Sequence, residues 1–207
     1  QLRDQLLELG HSINKGDAAL LKRIPEILED AGNDLPDFYR AALFEQYRQL
    51  RDLMAHAEML DQRFKEAVRH DEECKRLKAL EGVGPVCAML LKIALSNPAH
   101  FKNSRQAAAC IGVTPIQHSS GGQEKIGSIT KSTGDKKLRS VLFEGALAVI
   151  HGLDKREART TKEQWLKQLI SRRGKKVSAI ALANKTVRTA YAMLKKNTDY
   201  QAEILAV

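Results

Sequence analysis

The stretch His118-Ser119-Ser120-Gly121-Gly122 has the most direct route to covalent chemistry in this sequence. A serine hydroxyl is a weak nucleophile. It reacts only with help from a base, a metal-bound neighbour, or strong stabilisation of charge on the group it attacks. Glycines at 121 and 122 would let a backbone approach a phosphodiester closely and leave the hydroxyl exposed. Lys125, Lys131, Lys136, Lys137 and Arg139 follow, cations able to neutralise charge developing on a phosphate. Ser-Ser-Gly-Gly equally describes an ordinary flexible loop, and the spacing assigns no His/Asp relay. His118 could polarise Ser120, with a merely solvated loop histidine as the alternative.

A second stretch points to phosphate binding without covalent chemistry. Leu77 to Leu91 reads LKALEGVGPVCAMLL, a pattern that resembles a helix-hairpin-helix motif. One helix would end at Gly82, which takes the left-handed conformation cheaply. Val83 would tuck inward between two glycines. Gly84 would allow close approach, and Pro85 would open the next helix at a position where its missing N–H costs nothing. Backbone N–H groups at that helix start, reinforced by the helix dipole, would hold a DNA phosphate without reading any base. The plain alternative is a glycine-rich turn between two core helices.

Further cations are concentrated in Arg172-Arg173-Gly174-Lys175-Lys176, a basic turn and helix start for which phosphate contact competes with a solvated loop. Lys155, Arg156 and Arg159 begin a linker with Thr160 and Thr161. The Lys185, Arg188, Lys195, Lys196 face of the last helix is ambiguous. Trp165, with Leu166, Leu169 and Ile170, reads as part of a core helix and not as a stacking platform.

The elements that must carry these residues are helical. From Leu35-Pro36 to about Leu80 the sequence has no Gly after the break at Gly32 and no further Pro. Leu43, Leu50, Ala57 and Phe64 recur every seven residues, with Leu53, Leu60, Ala67 and Cys74 at the matching positions and Gln46 the polar exception. That is a coiled-coil seam of about four heptads. A helix of about 45 residues would be roughly 68 Å long and would need a partner helix. Residues 1–31 predict two shorter helices, the second starting at Asp17 and weakened by Pro25. After residue 80 glycines multiply and shorter helices alternate with loops. The only β-like stretch is Ile111 to Ile116. The reading is an all-α chain: long antiparallel or coiled-coil helices over 1–78, then a compact helical domain over 79–207 containing the hairpin and the serine.

Charge follows the same division. Residues 1–78 carry 13 Lys+Arg against 16 Asp+Glu, and residues 79–207 carry 21 against 9, within a chain of net charge +9. A basic half joined to a mildly acidic half indicates that the second half meets a polyanion. Cys74, Cys87 and Cys110 lack CxxC spacing, which fits reduced thiols better than zinc or disulfides. No apolar run approaches the ~18 residues that span a bilayer, so no membrane partner is expected. The start at Gln1, without Met or leader, reads as a piece of a longer protein.

Phe101 to Arg139 carries a family resemblance. Phe101 and Arg105 precede an Ala-rich helix; Gly112-Val113-Thr114-Pro115, Ser120-Gly121, Ile129 with Lys131, Gly134 and Leu138-Arg139 follow in order. This resembles the C-terminal domain of Piv/MooV-type DEDD invertases and their insertion-sequence relatives, which include the bridge-RNA-guided recombinases. The likeness covers roughly residues 70 to 196, and the upstream helices fit the family's coiled-coil insertion more loosely. The resemblance implies that Ser120, directly before glycine, is the nucleophile, with Ser119 its neighbour and alternative. It implies DNA as partner, a guide RNA as a further one, a homodimer or higher homo-oligomer, and a bacterial or archaeal cytoplasmic, nucleoid-associated location. It also implies a RuvC-like domain whose acidic residues bind Mg2+; nothing before residue 80 resembles it, so this chain alone is expected to be inactive. Two other readings compete: a non-catalytic helix-hairpin-helix module of a repair or junction-binding protein, and a structural adaptor whose function is the coiled coil.

Overall fold

The computed structural model describes residues 2–120, 123–129 and 134–205, with the side chains of 118–120 and 123–126 outside the description. It is mostly helical, in keeping with the all-α expectation. The helices are α1 (Leu2–Glu8), α2 (Asp17–Glu29), α3 (Asp37–His70), α4 (Glu72–Leu77), α5 (Pro85–Ala94), α6 (Ser104–Ile111), α7 (Lys136–Leu153) and α8 (Thr161–Lys196), with a 3-10 turn at Pro98–His100. Strands β1 (Pro115–Ser120) and β2 (Gln123–Ile129) form one antiparallel pair. Contacts divide the chain into two compact units, Gln1–Phe64 and Lys65–Val207.

In the first unit Leu6 from α1, Leu20, Ile24 and Ile27 from α2, and Leu35 and Leu43 bury one apolar cluster. Pro25 lies inside α2 without ending it. Having no N–H, it leaves the carbonyl of Leu21 without its usual partner four residues on. The Tyr47 hydroxyl donates to that carbonyl at 3.3 Å. The far end of α2 is closed by Arg40, whose guanidinium donates to the carbonyls of Ile27 (3.1 Å), Leu28 (2.7 Å) and Asp30 (3.2 Å). These are the carbonyls a helix C-terminus leaves unpaired. The heptad positions of α3 are unevenly covered: Leu43 is buried, whereas Leu53 and Leu60 are 68% and 52% exposed.

The expected single helix over 36–80 is shorter. α3 ends at His70 because Asp71 leaves the helical region and caps α4 instead, its carboxylate accepting from the Cys74 N–H at 2.9 Å. Lys92 of α5 pairs with that same carboxylate and with Glu73 at 3.2 Å, which ties α4 to α5. The β-pair is a second departure from the sequence reading, which found no strand pairing. Its register pairs Ser120 with Gln123 and Pro115 with Ile129, with an irregularity between Pro115 and Gln117.

The core of the second unit lies along α7 and α8, where Ala146, Ile150, Leu153, Leu166, Ala179 and Leu182 are buried together. α8 is two helical stretches meeting at Gly174, whose φ of 75° and ψ of 168° lie outside the helical region. The basic turn predicted there is therefore a break with a helix start behind it. Its first stretch is anchored by Glu163, a side chain only 10% exposed. Both carboxylate oxygens of Glu163 accept from Arg156, one at 2.9 Å, and one also accepts from the Arg159 N–H at 2.7 Å. The Thr160 hydroxyl caps the helix by accepting from the Glu163 N–H at 3.2 Å. Residues read as linker thus form a capped junction, which pairs further with Glu203 and Leu205 of the tail.

The Arg156 guanidinium holds the Glu163 carboxyl at about 2, against an ordinary value of 4.5. A carboxyl depressed on folding contributes stability above its unfolded value, and that contribution is lost as pH falls through the folded one. Glu163→Gln should destabilise the chain at neutral pH by about 1.5–3 kcal/mol in urea unfolding. Its deficit relative to the parent should shrink as pH drops from 4.5 toward 2. The variant should retain some acid sensitivity in this window through Asp71, which Lys92 likewise holds at about 2.

The hairpin between α4 and α5 rests on α7 by backbone contact. Gly82 has φ +77°, and a Cβ there would lie 2.7 Å from the Gly145 carbonyl oxygen; a Cβ on Gly145 would lie 2.0 Å from the Gly82 oxygen. Gly145→Ala and Gly82→Ala should each cost more than about 2 kcal/mol, from overpacking or a forbidden φ. Gly152→Ala, in the same helix with nothing within 4 Å of the added carbon, should be neutral or stabilising by about 0.5–1 kcal/mol. Urea unfolding of the three variants checks this contrast.

Candidate nucleic-acid interface

A groove of about 1270 Å³ opens within the second unit between α8, the start of α7 and the root of the β-pair. Residues 177, 180, 181, 184, 185, 188 and 192 of α8 line it; this is the i, i+3, i+4, i+7 spacing of one helix face. Lys136, Arg139 and Phe143 enter from α7 at the same spacing, and Pro115, Gly127 and Ile129 from the β-pair. Among the described lining residues are five cations, Lys136, Arg139, Lys176, Lys185 and Arg188, and no carboxylate.

The wall is fastened from behind. Asn184 donates its side-chain amide to the Val113 carbonyl at 3.1 Å and to the Thr114 hydroxyl at 3.3 Å. These hold the segment entering β1 against α8. Tyr191 donates its hydroxyl to the Phe101 carbonyl at 3.0 Å, and the two rings meet edge to face with centroids 6.1 Å apart. α6 is capped by Asn103, which accepts from the N–H groups of Arg105 and Gln106, each at 3.0 Å. So the root of the β-pair is braced by α6 and α8 together.

The structure separates the residues that the sequence reading grouped around the serine. Ser120 is the last residue of β1, five residues beyond Pro115, which is about 17 Å of extended strand. Lys136 and Arg139 sit at the groove by the other end of the pair. Lys137 is exposed on the same first turn of α7 but does not line the groove. Lys131 lies outside the described residues, as do the side chains of Lys125, His118, Ser119 and Ser120; the backbone places Lys125 opposite His118.

The α7 start is electrostatically unusual. Its first turn carries Lys136 and Lys137 and no acidic residue, where the helix dipole favours anions. Asp135 provides the cap, accepting from the Leu138 N–H at 2.9 Å. Two ammonium groups placed at a positive helix end do not serve helix stability.

Of the basic cluster around Gly174, Lys176 reaches the groove. Lys175 instead pairs with Asp154 at 2.6 Å, and Arg172 donates to the Gln168 carbonyl at 3.4 Å. Arg173 is exposed and outside the groove. The ambiguous face of α8 divides in two: Lys185 and Arg188 line the groove, while Lys195 donates to the Tyr191 hydroxyl at 3.1 Å. Trp165 packs against the α7–α8 core, as read from sequence, and also lines the groove, with the Lys185 ammonium 4.7 Å from its ring centroid.

In the hairpin, Val83 is buried, Gly84 is exposed, and α5 begins at Pro85 with no side chain capping its free N–H groups. Glu81 is tied to the start of α8, accepting from Lys162 at 2.6 Å and from the Tyr200 hydroxyl at 3.0 Å. Burial and the Glu81 charge push the Tyr200 hydroxyl well above its ordinary range. Burial likewise lifts the Cys74 thiol to about 11 and the Cys87 thiol to about 12. Among the described residues no group of three or more His, Cys, Asp or Glu could hold a metal ion. No helix among the described residues is long and apolar enough to cross a membrane.

Residues 74–163, from α4 to the start of α8, match the model of the transposase IS116/IS110/IS902 family. The chain is 35% identical over 203 residues to a Pseudomonas aeruginosa protein named "Probable family 20 transposase", covering 97% of this chain and 59% of that protein. It is 30% identical over 201 residues to the transposase for insertion sequence element IS1111A of Coxiella burnetii, covering 97% and 54%. Over 130 residues, 62% of the chain and 38% of the relative, it is 27% identical to the pilin gene-inverting protein of Moraxella bovis. The chain thus spans between about half and three-fifths of the length of the first two relatives. It is a homologue of transposases along nearly its whole length, and residues 74–163 carry the match to the IS116/IS110/IS902 family.

Proposed function

We propose that this chain is the DNA-gripping and serine-bearing portion of an insertion-sequence transposase of the Piv/MooV type. One observation carries the reading: a groove with five cations and no described carboxylate lies at the root of the β-pair on which Ser120 stands. The likeness to transposases over 97% of the chain supports it.

In this reading a DNA strand lies in the groove with its phosphates on Lys136, Arg139, Lys176, Lys185 and Arg188. The ~17 Å to Ser120 equals the axial rise of about five nucleotides of a duplex. Cations at the root therefore hold the strand, while Ser120 meets a phosphate farther along it. The Ser120 oxygen forms a bond to phosphorus as the bond from phosphorus to one deoxyribose oxygen breaks. The serine proton leaves to a base, for which His118 is nearest in sequence, and the departing oxygen takes up a proton. The phosphoserine ester retains a phosphorus–oxygen bond, so a hydroxyl on another strand reverses the step and joins the two. Lys125 and Lys131 are the cations adjacent in sequence for the charge on that phosphate.

The hairpin adds a second grip. The uncapped start of α5 beside exposed Gly84 suits a backbone phosphate in the helix-hairpin-helix manner. Exposed Leu53 and Leu60 on α3 support an apolar seam for a partner helix in a homo-oligomer over 1–78. Magnesium, and a guide RNA as a further partner, belong to the proposed complete enzyme; the metal-binding acids are assigned to the length of the relatives that this chain does not span.

The deciding experiment compares Ser120→Ala and Ser119→Ala in the full-length protein, reading recombination and covalent protein–DNA adduct. Adduct and recombination should vanish in Ser120→Ala alone, with DNA binding intact. Normal recombination by both variants would leave a DNA-gripping assembly module and end the serine mechanism. Replacing Arg188 by Gln should weaken duplex binding at every sequence tested and reduce the slope of log affinity against log salt by about 0.9. Arg173→Gln, outside the groove, should leave both nearly unchanged.

A further inference from the structure

Cations explain how the groove could attract DNA, but not why its floor is apolar. Phe143, Trp165, Val177 and Ile180 line it, and Val177 is 54% exposed. Contacts to a phosphate backbone gain nothing from such a surface, since they run through charges and N–H groups. An unpaired base does gain: it carries a π-face that stacks on aromatic side chains, while its phosphate needs a cation. Trp165 is half-buried and fixed against the α7–α8 core, and the Lys185 ammonium 4.7 Å from its centroid lies on the groove side. A rigid indole and a second aromatic on the facing helix supply what one unpaired base requires, and the Lys185 ammonium that covers the indole in the free chain leaves the ring for the phosphate when a base takes its place. At about 1270 Å³ the groove also exceeds the ~300–1,000 Å³ of small-molecule sites.

We infer that the groove binds a single-stranded stretch of DNA, with an unpaired base stacked on Trp165 and its phosphate taken by Lys185. This rests on the DNA-binding reading above and goes beyond it, because bases in a duplex stack on one another and have no face to offer Trp165. Charge complementarity selects nucleic acid over a protein segment. Proximity to the serine-bearing β-pair selects DNA over RNA, because a strand under attack is the one locally freed of its partner.

Trp165 is the chain's single tryptophan, so its emission reports this site alone. The test titrates the 207-residue chain with oligo(dT), with duplex DNA of equal length, with an abasic strand carrying the same phosphates, and with the matching oligoribonucleotide. Oligo(dT) should quench Trp165 emission to saturation, with duplex and abasic strand causing little quenching. By anisotropy of labelled DNA, Trp165→Leu should weaken oligo(dT) binding by about 5- to 150-fold and leave duplex binding unchanged. Trp165→Phe, which keeps an aromatic ring against the core, should fall between and guards against a folding defect.

Duplex binding that persists while oligo(dT) fails to quench would overturn this inference alone. Equal weakening of both DNAs by Trp165→Leu with normal binding by Trp165→Phe, or abasic DNA binding as tightly as oligo(dT), would also overturn it. Tighter binding and stronger quenching by the oligoribonucleotide would overturn the choice of DNA. No binding of any nucleic acid would overturn the DNA-binding reading together with it.

Discussion

Where Gly82 meets Gly145 two main chains come so close that neither residue can carry a side chain, and the layout around α7 follows from this contact. On an α-helix residues three and four apart share a face. Gly145 and Val149 make one face of α7, on which the hairpin rests. Leu142, Ala146, Ile150 and Leu153 make a second, buried against α8. Lys136, Arg139, Ser140 and Phe143 make a third, which opens on the groove. One helix therefore fixes three things at once: the hairpin, the core and the basic wall. A side chain at 145 would lift the first from the other two.

Charge at the groove is placed against local helix stability. Lysines occupy the first turn of α7, where the dipole disfavours them, and Lys175 and Lys176 follow the break in α8. Glu163, Asp71 and Glu81 are each committed to a cation on a neighbouring element, whereas the described residues that line the groove include five cations and no carboxylate. Acids brace the frame, and the groove itself carries a net positive charge.

Much of this was legible in the sequence because it rests on local rules. The Gly-Val-Gly-Pro turn, the helix start after Gly174 and the apolar spacing of α2 require no knowledge of distant contacts. Three features escaped for physical reasons. Asp71 lies in a stretch without Gly or Pro, so the end of α3 could be seen only by weighing its capping strength against the heptad pattern. The β-pair carried a sequence signal that could have been used, since a Gly-Gly pair between two short arms predicts a hairpin. Trp165 looked like core because it does pack on the core; that it also lines the groove depends on where α7 and the β-pair pass, which no local pattern reveals. Gly145 gave no sign at all, since its partner lies 63 positions away and nothing local distinguishes it from a tolerated helical glycine.

Pro25 and Tyr47 show how such distant pairings constrain a sequence over time. The ring at 25 removes one amide hydrogen and the hydroxyl at 47 supplies another donor to the same carbonyl. Phenylalanine at 47 would keep the packing and strand the Leu21 carbonyl, but only while proline remains at 25. A lineage that regained an ordinary residue at 25 would release 47 from its need for a hydroxyl. The two positions should therefore change together or in that order, a dependence that neither residue reveals when considered singly.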